Sequence, residues 1–183
     1  MGTFQIHACL IGLKRNQAYR SNMDGYFSFG DKPLTDHQIR VMIDYGIEHG
    51  YDTEADIPGN EVAKLLEDHK DDKILYLSIK REWYLKIING SKNEEYREMK
   101  PYWVKRFIEG RFDIPWLLQF ARGDKGSDIP WKKYTHVCFI NGRDVNKCLR
   151  VEKKITSISI DYPKPGLCPK EFLGKEYFVI KFK

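Results

Sequence analysis

Residues Lys73 to Glu98 read KILYLSIKREWYLKIINGSKNEEYRE, and several kinds of local order follow one another there without a spacer. Lys73-Ile74-Leu75-Tyr76-Leu77-Ser78-Ile79 is a short apolar run bounded by charges, which predicts a buried strand. Trp83, Tyr84, Ile87 and Ile88 then share one face at helical spacing, and Gly90 stands where a left-handed cap ends a helix. Glu94 to Glu98 alternates as a strand does, with Glu95 and Arg97 on one side and Glu94, Tyr96 and Glu98 on the other. The turn puts Lys92 near Glu95 and Arg97, and Lys80 leaves the preceding strand close by. These three cations are expected to surround one carboxylate at the mouth of a cleft, an arrangement that favours a phosphate or another anion and suits a nucleotide. The plainer alternative is a surface ion-pair cluster, which contributes about 1 kcal/mol or less.

Charge divides the rest of the chain around this stretch. Residues 1–71 carry 7 Lys and Arg against 12 Asp and Glu, a net of −5, whereas residues 72–183 carry 24 against 14, a net of +10. A polyanionic partner is therefore expected to meet the second part. The acidic part reads as helical: Thr35 and Gln38 resemble a capping box, Ile39, Met42 and Ile43 keep helical spacing, and Gly50 ends the segment. Pro58 to His69 predicts a second helix, with Val62, Leu65 and Leu66 as its apolar stripe. The expected division is a mainly helical extension over 1–70, within which Met23 is a candidate natural start, and a second domain over 71–183. The extension either completes the core or covers the cleft as an acidic lid.

Beyond the charged stretch, Pro101 opens an amphipathic segment with Trp103, Val104, Phe107 and Ile108 together, closed by Gly110, and Pro115 to Phe120 predicts a short helix. Ala121 to Pro130 reads as a mobile loop. Strands are expected at Tyr134 to Ile140, Cys148 to Ile160 and Tyr177 to Phe182, with Asn141-Gly142 as a hairpin signal. Helices grouped early and strands late predict an α+β protein built on a small barrel.

Other classes are set aside by what the chain lacks. No apolar run approaches the roughly 18 residues of a membrane span. The apolar patch Ala8 to Leu13 is followed, not preceded, by Lys14, Arg15 and Arg20, the reverse of a secretory signal, so a cytoplasmic protein with reduced thiols is expected. Cys9, Cys138, Cys148 and Cys168 form no C-x-x-C pair, and the five histidines show no ligand spacing, so neither metal nor cofactor is expected.

The series Leu77-Ser78-Ile79-Lys80, Trp83, Ile87-Ile88-x-Gly90-x-Lys92-x-x-Glu95-Tyr96-Arg97 resembles the opening of an ASCH domain, the activating-signal-cointegrator homology domain, whose hallmark is G-x-K-x-x-E-x-R. The resemblance is specific from about Leu75 to Arg97, holds in outline from Pro101 to Lys183, and excludes residues 1–70. It implies a β-barrel related to the pseudouridine synthase and archaeosine transglycosylase (PUA) domain, with a cleft lined by Lys80, Lys92, Glu95 and Arg97. It also implies RNA or nucleotide binding, for which Tyr96, flanked by Glu94 and Glu98, is the expected stacking ring. Some small members of that family hydrolyse N4-acetylcytidine, using the G-x-K lysine beside a threonine three residues on. Here that position is Glu95, so a hydrolase reading, whether as an amidohydrolase of a modified nucleoside or as a ribonuclease, requires Lys92 and Glu95 to act as a catalytic pair on water.

Overall fold

A computed structural model describes residues 4–5, 19–20, 28–29, 32–52, 56–123, 128–141 and 149–183. Their strands are β1 (Phe4–Gln5), β2 (Tyr19–Arg20), β3 (Ser28–Phe29), β4 (Lys32–Pro33), β5 (Ile74–Ser78), β6 (Glu94–Glu98), β7 (His136–Asn141), β8 (Leu149–Asp161) and β9 (Tyr177–Phe182). The helices are α1 (Asp36–His49), α2 (Gly59–Asp68), α3 (Arg81–Ile88), α4 (Pro101–Phe107) and α5 (Ile114–Arg122). Gly142, Cys9, Cys148, Met23 and residues 124–127 of the expected loop lie outside the described residues.

The fold is α+β. Its main sheet is mixed and open, in the order β5-β7-β8-β9-β6, with β2 pairing additionally to β8, so the expected closed barrel is not formed. No described helix is long and apolar enough to cross a membrane. Chain contacts divide the molecule into two units, residues 1–81 with 138–152 and residues 82–137 with 153–183.

In the first unit, α1 begins as its sequence predicts. The Thr35 hydroxyl accepts from the Gln38 N–H at 3.2 Å, and the Gln38 side chain accepts from the Thr35 N–H at 2.9 Å. Gly50, at φ 77°, closes the other end. Met42, Ile57 and Val62 form a core between α1 and α2, with Leu34, Tyr45, Tyr51, Leu65 and Leu66 packed against it. Each fully buried aliphatic side chain contributes about 1.5–3 kcal/mol to holding such a pair. The start of α1 is tied to β8 by ion pairs from Asp36 to Arg150 and from His37 to Glu152. Along β5, Leu75 and Leu77 are buried while Tyr76 and Ser78 are exposed. The apolar run reads as a buried strand, but β5 is an edge strand and buries only one of its faces.

In the second unit, β6 pairs antiparallel with β9 from Glu94 opposite Lys181 to Glu98 opposite Tyr177, and β9 pairs antiparallel with β8. Tyr177 to Ile180 of β9 are all buried, as befits a strand hydrogen-bonded on both sides. Phe178 packs against Phe107, with ring centres 5.0 Å apart, and against Trp131 at 6.1 Å. Tyr96, Cys168, Tyr177 and Val179 form a separate cluster with Leu167 and Phe172, and it is this cluster that receives the charged strand.

Candidate functional site

The site begins with the end of α3. The Gly90 N–H bonds the Ile87 carbonyl, and the Lys92 N–H reaches back 3.0 Å to the Lys86 carbonyl, so the chain folds over the last turn of the helix. Gly90 has φ 78°, and nothing lies within 4 Å of where a Cβ would stand. Glycine is needed for the left-handed backbone rather than for space.

That turn sends Lys92 inward, and its residue is only 2% exposed. Its ammonium donates to the Leu167 carbonyl and lies 3.3 Å from Glu95 Oε2, with the rings of Trp83 and Tyr96 at 5.1 and 4.8 Å. Burial holds the Lys92 pKa below the usual lysine value, and the Glu95 carboxylate offsets this only in part. The other carboxylate oxygen of Glu95 is 3.2 Å from the Arg97 guanidinium. Arg97 lies over the Trp103 ring at 5.1 Å, and Arg106 lies over the same indole at 5.7 Å. Burial lowers the Arg97 pKa, Glu95 opposes that, and the nearby charge of Arg106 adds to it.

Glu94 is held differently. It accepts from the Tyr96 hydroxyl at 2.8 Å and from the Lys164 ammonium, and the Lys164 N–H donates to the same tyrosine oxygen at 3.2 Å. Burial pushes the Glu94 carboxyl upward, but the hydrogen bonds from Lys164 and Tyr96 outweigh it and leave the pKa below the ordinary carboxylate value.

The structure thus brings together Lys92, Glu95 and Arg97, as the spacing over Gly90 to Arg97 predicts. Lys80 is exposed and belongs to the other unit; the cations on Glu95 are Lys92 and Arg97. Tyr96 requires a correction. Flanking glutamates suggest a solvated ring, yet Tyr96 is 3% exposed, because Glu94 folds in with it and is neutralised by Lys164. Its face is not open to a base. The aromatic groups beside the cations that reach solvent include Tyr102, 61% exposed, and the half-buried Trp83 and Trp103. The Tyr102 hydroxyl accepts from Arg106 at 2.8 Å, one helical turn along α4, so an i, i+4 Tyr-Arg spacing was the available signal for this pair.

Histidine spacing alone hides a second cluster, in the first unit. His37 Nε2 and His69 Nδ1 both meet Asp72 Oδ2, at 2.9 and 2.7 Å, and His37 Nδ1 meets Glu152 Oε1 at 2.7 Å. Of the four cysteines, Cys138 and Cys168 are buried, and the Cys168 thiol donates to the Lys164 carbonyl at 3.4 Å. No protein-family model, curated protein or solved structure matches this chain.

Proposed function

We propose that this chain is an ASCH-like protein, related to the PUA fold, that binds RNA or a nucleotide through the cations gathered by the G-x-K-x-x-E-x-R stretch. The observation that carries the reading is a gathering of cations: Lys92 and Arg97 both meet Glu95, and Arg97 and Arg106 lie over the same indole, Trp103. An anion arriving at Arg97 and Arg106 meets two neighbouring guanidinium groups, and the exposed Tyr102 ring offers stacking surface next to them. The wider field agrees in sign, since residues 82–137 and 153–183 carry 18 Lys and Arg against 11 Asp and Glu, a net of +7.

The alternative is a hydrolase of a modified nucleoside, and it rests on the lowered pKa of Lys92. Glu95 weakens it. Both of its oxygens are engaged by cations, which suits an anchor that orients them better than a base that must take a proton from water.

The test is fluorescence anisotropy of labelled single-stranded and hairpin RNAs across a salt series, with wild type, Arg106→Ala, Arg97→Ala and Tyr102→Ala. Wild type is expected to bind with a steep salt dependence. Each arginine variant should weaken binding to all sequences and reduce the salt slope by about one. Tyr102→Ala should weaken binding to single strands by about 1–3 kcal/mol without changing the slope. Absence of RNA binding, or variants that match wild type, overturns the proposal. Hydrolysis of N4-acetylcytidine that Lys92→Ala abolishes would establish the alternative.

A further inference from the structure

We infer that His37, His69 and Asp72 form a binding site for a single divalent transition-metal ion of the zinc type, with Glu152 holding His37 in place. The inference concerns the first unit and is independent of the RNA reading.

Four separate segments deliver these side chains. His37 lies in the first turn of α1, His69 caps the end of α2, Asp72 lies in the turn before β5, and Glu152 is on β8. The ligand atoms of His37, His69 and Asp72 all fall within 4.8 Å of one another. Carboxylate oxygens only accept, so each facing ring nitrogen must carry a proton, and one Asp72 oxygen takes two N–H groups at 2.9 and 2.7 Å. A cation in their place would satisfy all three donor atoms at once. With metal–ligand bonds of about 2.0–2.2 Å, tetrahedral ligand atoms stand about 3.3 Å apart, so each histidine nitrogen needs to draw back from the Asp72 oxygen by only about half an ångström.

The surroundings fit such an ion. If His37 binds through Nε2, its Nδ1–H is directed at Glu152 at 2.7 Å, the carboxylate–histidine arrangement that fixes tautomer and ring orientation in metal sites. Asp72 and Glu152 together supply two negative charges to balance a divalent ion. Imidazole with carboxylate suits zinc, cobalt, nickel or iron better than calcium or magnesium, which take oxygen ligands. The His37 side chain is 6% exposed and that of Asp72 15%, while that of His69 is 34% exposed, which leaves one approach from solvent. Three protein ligands also leave a fourth position for water or an added ligand.

The experiment is isothermal titration of chelator-treated full-length protein with Zn²⁺, repeated with Co²⁺ by visible absorption. One ion per chain is expected, at micromolar affinity or better. His69→Ala and Asp72→Asn should each weaken it about 100-fold, and Glu152→Gln about tenfold. His49→Ala, which removes a histidine bonded to the Tyr45 carbonyl, should leave it unchanged. His69→Gln serves if His69→Ala does not fold. Failure of wild type to bind either ion, or binding that survives substitution of His69 and Asp72, overturns the site and leaves the cluster as an ion-paired histidine between two carboxylates.

Discussion

Lys92 carries its charge into surroundings that offer one carboxylate, one carbonyl and two aromatic rings, and each partner answers part of what burial removes. Glu95 is the most consequential, because it faces Arg97 as well. Glu95→Gln leaves two cations with that counter-charge gone, and a cost of about 3–5 kcal/mol is expected, read from urea unfolding. Adding Lys92→Met to that variant should recover part of the loss, since the two residues act as a unit. Glu94 supplies a pH dependence whose sign follows from its lowered pKa. Its contribution is fully present above the unfolded value of 4.5 and is lost as pH falls through the lower folded value. Glu94→Gln should cost about 1.5 kcal/mol at neutral pH and flatten the dependence of the urea midpoint across that acidic range. At this scale the sequence was informative about neighbours and poor on depth. Alternation placed Glu95 beside Arg97 correctly, yet nothing local showed that Glu94 and Tyr96 would be buried, because the group that neutralises Glu94 is Lys164, 70 positions away.

The ends of helices were legible because the chemistry that makes them is local. Thr35 with Gln38 at the start of α1, Gly50 at its end and Gly90 after α3 stand where the residue types predict. Since no atom crowds a Cβ at Gly90, Gly90→Ala tests backbone strain alone, and it is expected to cost about 1–2 kcal/mol in urea unfolding. Gly90→Asn should cost less, because asparagine tolerates the left-handed region. Strand positions were legible too, β9 at Tyr177–Phe182 most clearly. Strand surroundings were not: the apolar run of β5 is compatible with a central or an edge position, and hydrogen-bonding order alone decides between them.

For the molecule as a whole, the first unit is assembled from segments far apart in the chain. β2 pairs with β8, Tyr19 opposite Arg150 and Arg20 opposite Leu149, and α1 holds the same strand through Asp36 and His37. A fragment of residues 71–183 therefore loses both that pairing and the partners of Arg150 and Glu152. It should be less stable than the full chain by at least about 3 kcal/mol, measured by thermal and urea unfolding; equal midpoints would show that residues 1–70 fold independently of β8. Sequence by itself determined the α+β class, the caps of α1, the order of the strands from β5 to β9 and the meeting of Lys92, Glu95 and Arg97. All of these depend on spacing within a few residues, whereas β1 to β4 within the stretch read as helical, and the end of α4 at Ile108 instead of Gly110, were not foreseen. Tertiary structure alone decided that the sheet stays open, that Tyr96 is buried, and that His37 meets Asp72 at 35 positions' separation and Glu152 at 115. The physical reason is that periodicity reports which side of an element a residue occupies. What packs against that side, and so whether a charge is solvated, paired or available to a metal, depends on segments brought together only by folding.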